Sequence, residues 1–232
     1  MATATEKISF DAAGFESFIA GSSDPDWLKD IRKAAWQKFE ALPWPSNKDE
    51  EWMRTDIRLF KLDKFAMPSE APAKLPTAVL NAGVDLAGNT VSHDGICLQS
   101  EIDPELTKKG VLFGNAGQML AEHGDKLKPF FHKAFDPHFD RFSALHAAFW
   151  SSGTVLFVPR NVVIEKPLHA FSAMSDGGID FGHTLVVLED GAEATLLAEC
   201  ASPNVESKGL HCGGIEMIVG NGANLRYVNL QD

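Results

Sequence analysis

The stretch Thr154–Leu168, TVLFVPRNVVIEKPL, decides the fold prediction. It contains two apolar runs rich in β-branched and aromatic residues, separated by Pro159-Arg160-Asn161. The runs do not alternate cleanly between apolar and polar residues, which is typical of strands that are buried on both faces. The stretch therefore predicts two buried strands joined by a tight corner at Asn161.

The same layout recurs in Leu185–Glu199 and in Ile215–Asn229. The three corners fall at Asn161, Gly191 and Gly222, which are 30 and 31 residues apart. Asn and Gly are the residues that best tolerate positive φ at such corners. A fixed period of this size is typical of a solenoid, so the spacing favours coils of a β-helix.

Three separate β-hairpins are the alternative interpretation. Asp190-Gly191 and Asn221-Gly222 are strong hairpin signals when they stand alone between apolar runs. Hairpins would favour an antiparallel sandwich or a cupin-like jelly roll. The regular spacing of the corners is the reason to prefer the β-helix.

Composition and charge exclude several classes of protein. The chain has 232 residues and is 44% hydrophobic, enough to bury a substantial core. Its net charge of −11 argues against nucleic-acid binding, which depends on Lys and Arg neutralising phosphates. No apolar run approaches the ~18 residues of a membrane span, and the N-terminus lacks the features of a signal peptide. We expect a soluble, cytoplasmic protein without a membrane or nucleic-acid partner.

The three cysteines are Cys97, Cys200 and Cys212. Their number is odd, they form no CxxC pair, and their spacing matches no disulfide framework. We therefore expect reduced thiols in a reducing compartment. The sequence does not assign a role to any one of them.

The chain divides into three predicted parts, at residues 1–66, 67–150 and 151–232. The first is an α-helical domain, in which DPDWLKDIRKAAWQKFEAL predicts an amphipathic helix with Asp24 as N-cap and Pro25 at the first helical position. The second begins with a Pro- and Ala-rich linker at 67–74 and continues as a mixed α/β segment. The third contains the repeated strands.

A metal site is the first candidate for chemistry. Cys200, His211 and Cys212, with His183 as a further ligand, offer the thiolate and imidazole groups that zinc and iron prefer. Adjacent residues on a strand point to opposite faces, however, so His211 and Cys212 would not readily share one ion. A cupin-like β-barrel metalloprotein using His183, His211 and Cys212 stays the alternative function, and no metal ligand is assigned.

Other polar groups do not form a recognisable catalytic site. His93 and Cys97 would act as a nucleophile pair only if their loop brought them together. The acidic residues Glu189, Asp190 and Glu193 are best explained by a solvent-facing turn. The sequence has no GxxxxGK[ST] phosphate-binding loop. We assign no catalytic or cofactor-binding residue and predict that the chain is not an enzyme.

Several stretches in the correct order resemble the SufB/SufD family of iron–sulfur cluster assembly scaffolds, and more closely its SufD branch. They lie in the helical arm, in the middle of the chain and around the first strand pair. The matching residues are Leu42-Pro43 through Glu51-Trp52 and Thr55-Asp56; Gly110-Val111-Leu112-Phe113 leading to Glu122-His123; and Ala144-Leu145 through Ala148-Phe149, Ser152-Gly153, Val158–Val162 and Glu165–Leu168. The third group is the most specific.

The resemblance implies a fold and a role. The fold would be mainly β, with an α-helical N-terminal domain and a right-handed parallel β-helix that is apparently truncated at the C-terminus, since family members are longer. The role would be that of a non-enzymatic scaffold, acting with a SufB-like scaffold and a SufC-like ABC-type ATPase in cluster formation and iron delivery. A homodimer is a further assembly to consider. The fragment itself would hold no cofactor, whereas the complete complex would carry a transient Fe–S cluster or iron.

The resemblance carries no functional residue over to this chain. The residues that the family uses in cluster assembly, and its contact with the ATPase, would lie after Asp232.

Overall fold

The computed structural model describes residues 7–68, 70, 77–203, 206 and 208–231. They form two compact units. Unit 1 consists of the described residues of 1–69 and 136–149, and unit 2 of those of 70–135 and 150–232. Most of the linker predicted at 67–74 lies outside the described residues.

The helices of the described ranges are mostly short. They are α1 (Ala12–Gly21), α2 (Asp26–Ala41), α3 (Pro104–Lys108), α4 (Ala116–Glu122), α5 (Gly124–Leu127) and α6 (Arg141–Phe149). Single 3-10 turns occur at Glu50–Trp52, Ile57–Leu59 and Leu62–Lys64. Among the residues described, no helix combines the length and the apolar character that crossing a bilayer requires.

The strands found in the described residues fall in four sheets. In chain order they are β1 (Ile8–Ser9), β2 (Ala66–Met67), β3 (Gly88–His93), β4 (Ile96–Ile102), β5 (Leu112–Asn115), β6 (Thr154–Val158), β7 (Leu168–Ala173), β8 (Gly178–Asp180), β9 (His183–Leu188), β10 (Glu193–Ala201), β11 (Gly209–His211), β12 (Gly214–Val219) and β13 (Asn224–Gln231).

In unit 1 a side chain caps α1, whereas the N-cap predicted for α2 is wrong. Asp11 caps α1, since its carboxylate accepts a hydrogen bond from the backbone N–H of Gly14 at 2.8 Å. For α2 the N-cap is Pro25, not Asp24. Asp24 instead accepts a hydrogen bond from the buried guanidinium of Arg32 at 2.7 Å. The Asp24 carboxylate therefore forms an ion pair with Arg32 and does not cap the helix.

An aromatic cluster forms the core of unit 1. The Trp36 ring stacks on the Phe15 ring with centroids 5.0 Å apart, and it meets the edge of Phe149 at 5.7 Å. Phe39 stacks on the other side of Trp36 at 5.1 Å. The sequence places Trp36 off the main apolar stripe of α2, and the structure shows that α1 covers that side. Such ring pairs add stability beyond the apolar area that they bury.

Parallel ladders organise unit 2. Strands β6, β9 and β12 are consecutive neighbours in the four-stranded sheet, and β7, β10 and β13 are consecutive neighbours in the five-stranded sheet. Val155 pairs with Leu185, and Leu196 pairs with Tyr227, so partners lie about 30 residues apart in the sequence. A shorter ladder joins β8 to β11 with the same spacing.

The corners lie where the sequence predicts them. Asn161, Gly191 and Gly222 have φ values of 59°, 69° and 66°. Successive corners are hydrogen bonded, since the Gly191 N–H donates to the Asn221 oxygen at 2.9 Å. The two strands that flank each corner belong to different sheets, which excludes the hairpin alternative.

The predicted fold class is wrong. We correct it from a mainly β chain with a right-handed parallel β-helix to a mixed α/β fold, 28% helical and 33% strand, with four separate sheets in the described part of the chain. Helices α3 to α5 lie between the early strands, and β4 and β5 join their sheets in antiparallel pairing. The period of the sequence covers the later strands alone, so it predicted neither these helices nor the antiparallel partners.

The buried ion pair of unit 1 generates a stability prediction. The side chains of Arg32 and Asp24 are 3% and 12% exposed, and the Arg32 guanidinium also donates to the Ala148 backbone oxygen at 3.2 Å. Replacing Asp24 by Asn removes the carboxylate that pairs with this buried cation, which we expect to lower the free energy of unfolding by about 2 kcal/mol.

Urea unfolding followed by tryptophan fluorescence measures this change, because Trp27, Trp36, Trp44 and Trp52 all lie in unit 1. Asp30→Asn is the matched control, since Asp30 is an exposed residue of the same helix and should change stability by less than about 0.5 kcal/mol. Equal effects of the two variants would contradict the prediction.

Candidate functional site

Asp180, Cys200 and His211 form a cluster of potential ligands in unit 2. One ligand atom from each residue lies within 4.8 Å of the other two. His211 Nδ1 and Asp180 Oδ2 are 3.0 Å apart and share a hydrogen bond. Asp180 is buried, Cys200 is half-buried, and the His211 side chain is 45% exposed. The cluster therefore has one side inside the protein and one side open.

The parallel ladders bring these residues together. Asp180 ends β8 and His211 ends β11, and the two residues are direct partners in the β8–β11 ladder. Cys200 lies near the end of β10, where its partners are Ser172 on β7 and Gln231 on β13. Strands β8, β10 and β11 thus end at the cluster, and each supplies one of its three side chains.

Two adjoining cavities of about 110 and 190 Å³ share the cluster as their common wall. Alternate residues of the chain face the cavity of about 110 Å³. Its lining includes Gly182, Thr184, His211 and Gly213, but not His183 or Cys212. A side chain at Gly213 would bring a Cβ within 2.9 Å of His211 Nε2, so glycine leaves room for the imidazole. In the described lining of both cavities there is no Lys or Arg.

The surroundings keep the thiol neutral and favour a charged imidazole. Burial, with further contributions from the carboxylates of Asp180 and Glu199, raises the pKa of Cys200 to about 12. The hydrogen bond that His211 donates to the Asp180 carboxylate raises the pKa of His211, while burial opposes that change. The cluster is therefore a protonated thiol beside an imidazole–carboxylate pair.

The structure brings together only part of the predicted ligand set. Cys200 and His211 meet, as the metal hypothesis requires, but His183 and Cys212 are directed elsewhere. Among the described residues the potential ligand cluster contains His211 but neither His183 nor Cys212, so the cupin-like set of His183, His211 and Cys212 is not favoured. Sequence analysis missed Asp180, although it lies 31 residues before His211 and so one period away.

His183 belongs to a separate, buried site. Its Nε2 lies 3.0 Å from Glu216 Oε1, and both side chains are fully buried. Glu216 also accepts backbone hydrogen bonds from His132 and Ala134 at 2.8 Å and from Phe135 at 3.0 Å. Burial alone would raise the pKa of Glu216, but the hydrogen bonds from His183 and the backbone lower it.

A second buried pair has the same design. His169 Nε2 and Glu199 Oε2 are 3.4 Å apart, and the Glu199 carboxylate accepts backbone hydrogen bonds from Val79 at 2.6 Å and Leu80 at 2.9 Å. Burial lowers the pKa of His169, although Glu199 opposes this effect. In both pairs the glutamate accepts backbone hydrogen bonds from a segment earlier in the chain and so holds that segment against the parallel ladders. This is a structural role.

The remaining candidates do not form catalytic groups. His93 is buried while Cys97 is exposed, and partial desolvation by its neighbours raises the pKa of the Cys97 thiol, which weakens it as a nucleophile. At the acidic corner, Glu189 accepts a hydrogen bond from the Arg160 backbone N–H at 2.9 Å, and Asp190 accepts one from Asn221 at 2.9 Å. These carboxylates connect successive corners.

Comparison with protein families gives two consecutive matches. Residues 16–170 match the family model described as SufBD protein N-terminal region. Residues 171–232 match the model described as SUF system FeS cluster assembly, SufBD core domain. The two matches follow each other without a gap.

Curated relatives carry a consistent description. The chain is 25% identical over 226 residues to an iron-sulfur cluster assembly SufBD family protein of Staphylococcus haemolyticus (strain JCSC1435), covering 90% of this chain and 48% of the relative. It is 24% identical over 227 residues to a protein of the same description from Staphylococcus aureus (strain MRSA252), with the same coverage. The chain thus spans about half the length of the curated relatives it matches.

The buried Glu216 carboxylate predicts a specific loss of stability. Replacing Glu216 by Gln puts an amide group where three backbone N–H groups and His183 converge, so at neutral pH the free energy of unfolding should fall by about 3 kcal/mol. The matched control is Glu193→Gln, since Glu193 is an exposed residue at the start of β10 in the other large sheet of unit 2. Urea unfolding followed by circular dichroism measures both variants.

The effect should depend on pH. The pKa of Glu216 is lowered in the folded state, so its stabilisation is complete above the unfolded carboxyl pKa of roughly 4 and is lost as the pH falls through the folded value. The difference between wild type and Glu216→Gln should therefore shrink in acid. A difference that stayed constant from pH 7 to pH 3 would contradict this account.

The thiol of Cys200 should react slowly and should respond to Asp180. Replacing Asp180 by Asn removes a carboxylate that raises the thiol pKa, so the thiolate fraction and the rate of alkylation by iodoacetamide should increase severalfold, up to about tenfold. Mass spectrometry of the modified peptide, in the presence of a chelator, measures the rate. The exposed Asp125→Asn should leave it unchanged, and an unchanged rate in Asp180→Asn would refute the electrostatic explanation.

Proposed function

The chain belongs to the SufBD family of iron–sulfur cluster assembly proteins, and from this premise we propose that it is a non-enzymatic scaffold subunit of a SUF-type assembly complex. The observation that carries the proposal is the pair of family matches, which run consecutively from residue 16 to residue 232. The fold supplies buried, hydrogen-bonded ladders that suit a rigid support rather than a mobile catalyst.

We propose three features of this role that the family match supports only in general terms. The chain is a SufD-like member, it assembles with a SufB-like scaffold and a SufC-like ABC-type ATPase, and it contributes to cluster formation and iron delivery. The sequence has no phosphate-binding loop of its own, so ATP hydrolysis would come from the partner subunit. The three cysteines form no disulfide, which suits a reducing, cytoplasmic compartment.

A homodimer is the second candidate assembly. Among the described residues, strands β12 and β13 are terminal in their sheets, and they expose Ile215, Val219 and Val228 at 47%, 45% and 37%. Edge strands with exposed apolar side chains are surfaces for pairing with another chain. Pairing of two copies through these edges would compete with hetero-assembly.

The test is to tag the chromosomal copy in its natural host, purify the protein anaerobically and identify what accompanies it. We expect a second SufBD-type protein and an ABC-type ATPase in fixed proportion. Deleting the gene should lower the activity of iron–sulfur enzymes under iron limitation, and the wild-type gene should restore it. Purification of the protein alone, together with unchanged iron–sulfur enzyme activity in the deletion strain, would refute the proposal.

A further inference from the structure

We propose that Asp180, Cys200 and His211 bind one divalent transition-metal ion of intermediate softness, such as Fe²⁺, Zn²⁺ or Co²⁺. The geometry carries the inference, since one donor atom from each residue already lies within 4.8 Å of the others. Identifying the ion as iron cargo rests on the function proposed above. Binding itself does not depend on that function.

The three donors match the chemistry of this class of ion. Thiolate, imidazole and carboxylate together exclude the hard cations Mg²⁺ and Ca²⁺, which prefer oxygen ligands alone. Three protein ligands leave a fourth position of a tetrahedral ion open. The cavity of about 190 Å³ beside the cluster would give a small external ligand access to that position.

Only small side-chain movements are needed. Bond lengths of about 2.0–2.3 Å place the donors of a tetrahedral ion about 3.3–3.8 Å apart. Asp180 and His211 are closer than this at 3.0 Å because they share a hydrogen bond, and the ion would replace the shared proton. Their positions as direct ladder partners hold the two backbones in place while the side chains rotate.

Electrostatics at the site favours a cation. The described lining of the two cavities contains the carboxylates of Asp180 and Glu199 and no basic residue except His211. Glu199 is already held by the backbone N–H groups of Val79 and Leu80, so its role is to add negative charge rather than to ligate. Binding is balanced by release of the Cys200 thiol proton and, where His211 is protonated, of an imidazole proton to solvent.

A purely structural ion pair explains the cluster less well. The two other histidine–carboxylate pairs of unit 2 have side chains that are 0% exposed, and their carboxylates accept two or three backbone hydrogen bonds. Asp180, by contrast, accepts side-chain hydrogen bonds from His211 at 3.0 Å and from Ser152 at 3.5 Å among the described residues. It therefore retains acceptor capacity, and its partner His211 is 45% exposed. A half-exposed pair of this kind contributes little to stability.

The experiment titrates the native full-length protein with Co²⁺ under anaerobic conditions after removal of metals. Co²⁺ bound to a thiolate in a tetrahedral site has a sulfur-to-metal charge-transfer band, which reports the proposed ligand directly. We expect one ion per chain with this band. Zn²⁺ and Fe²⁺ should displace Co²⁺ in competition, and excess Mg²⁺ should not.

Variants assign the ligands. Cys200→Ser should abolish the charge-transfer band, and Asp180→Asn or His211→Ala should weaken Co²⁺ binding by at least on the order of tenfold. Cys212→Ser is the matched control, because it removes the neighbouring thiol and should leave the band intact. A band that survives Cys200→Ser or disappears in Cys212→Ser would overturn the assignment, as would the absence of any band in the wild type.

A measurement on the wild type removes the dependence on correctly folded variants. Bound Zn²⁺ should slow alkylation of Cys200 by N-ethylmaleimide at least tenfold and leave the rates at Cys97 and Cys212 unchanged. Equal rates at Cys200 with and without Zn²⁺ would overturn the proposal. Restoration of iron–sulfur enzyme activity by wild-type protein that binds no metal would refute this inference while leaving the proposed function standing. A metal-binding chain that does not restore activity would refute the function alone.

Discussion

Parallel pairing between strands about 30 residues apart is the constraint on which the rest of unit 2 depends. Each ladder places a residue beside the residue one period later, as with Val155 beside Leu185 and Leu196 beside Tyr227. The corners must then superimpose, which requires positive φ at Asn161, Gly191 and Gly222. The same constraint decides which polar side chains meet inside the protein.

The three histidine–carboxylate pairs follow from this constraint. The partners of the pairs are 30, 31 and 33 residues apart, which is one ladder period within a few positions. Because successive residues of a strand face opposite sides, a shift of one residue would move each histidine away from its carboxylate. Unpaired buried charge is costly, so the pairs oppose such a shift and help to specify the register. The pairs thus contribute to the register of strand pairing as well as to the stability of the fold.

The predictable parts of the structure are those that local chemistry determines. The corner residues Asn161, Gly191 and Gly222 follow from side-chain preferences over a few positions. The fold class was not predictable from the repeat, because α3 to α5 and the antiparallel strands β4 and β5 have no period. Asp24 was wrongly predicted as the N-cap of α2, because its carboxylate instead pairs with the buried Arg32 guanidinium eight residues later. Asp180 was missed although it lies 31 residues, about one period, before His211.

The contrast among the three pairs explains why only one is a candidate for binding. Glu199 and Glu216 have their oxygens occupied by backbone N–H groups that cannot move without displacing a loop. A ligand there would have to break several buried hydrogen bonds, and each broken bond would leave a buried donor unsatisfied. At Asp180 the hydrogen-bond partners are side chains, which can rotate at low cost, and a thiol stands beside them. The three parallel ladders therefore form two closed pairs that stabilise the fold and one open pair that retains the capacity to bind.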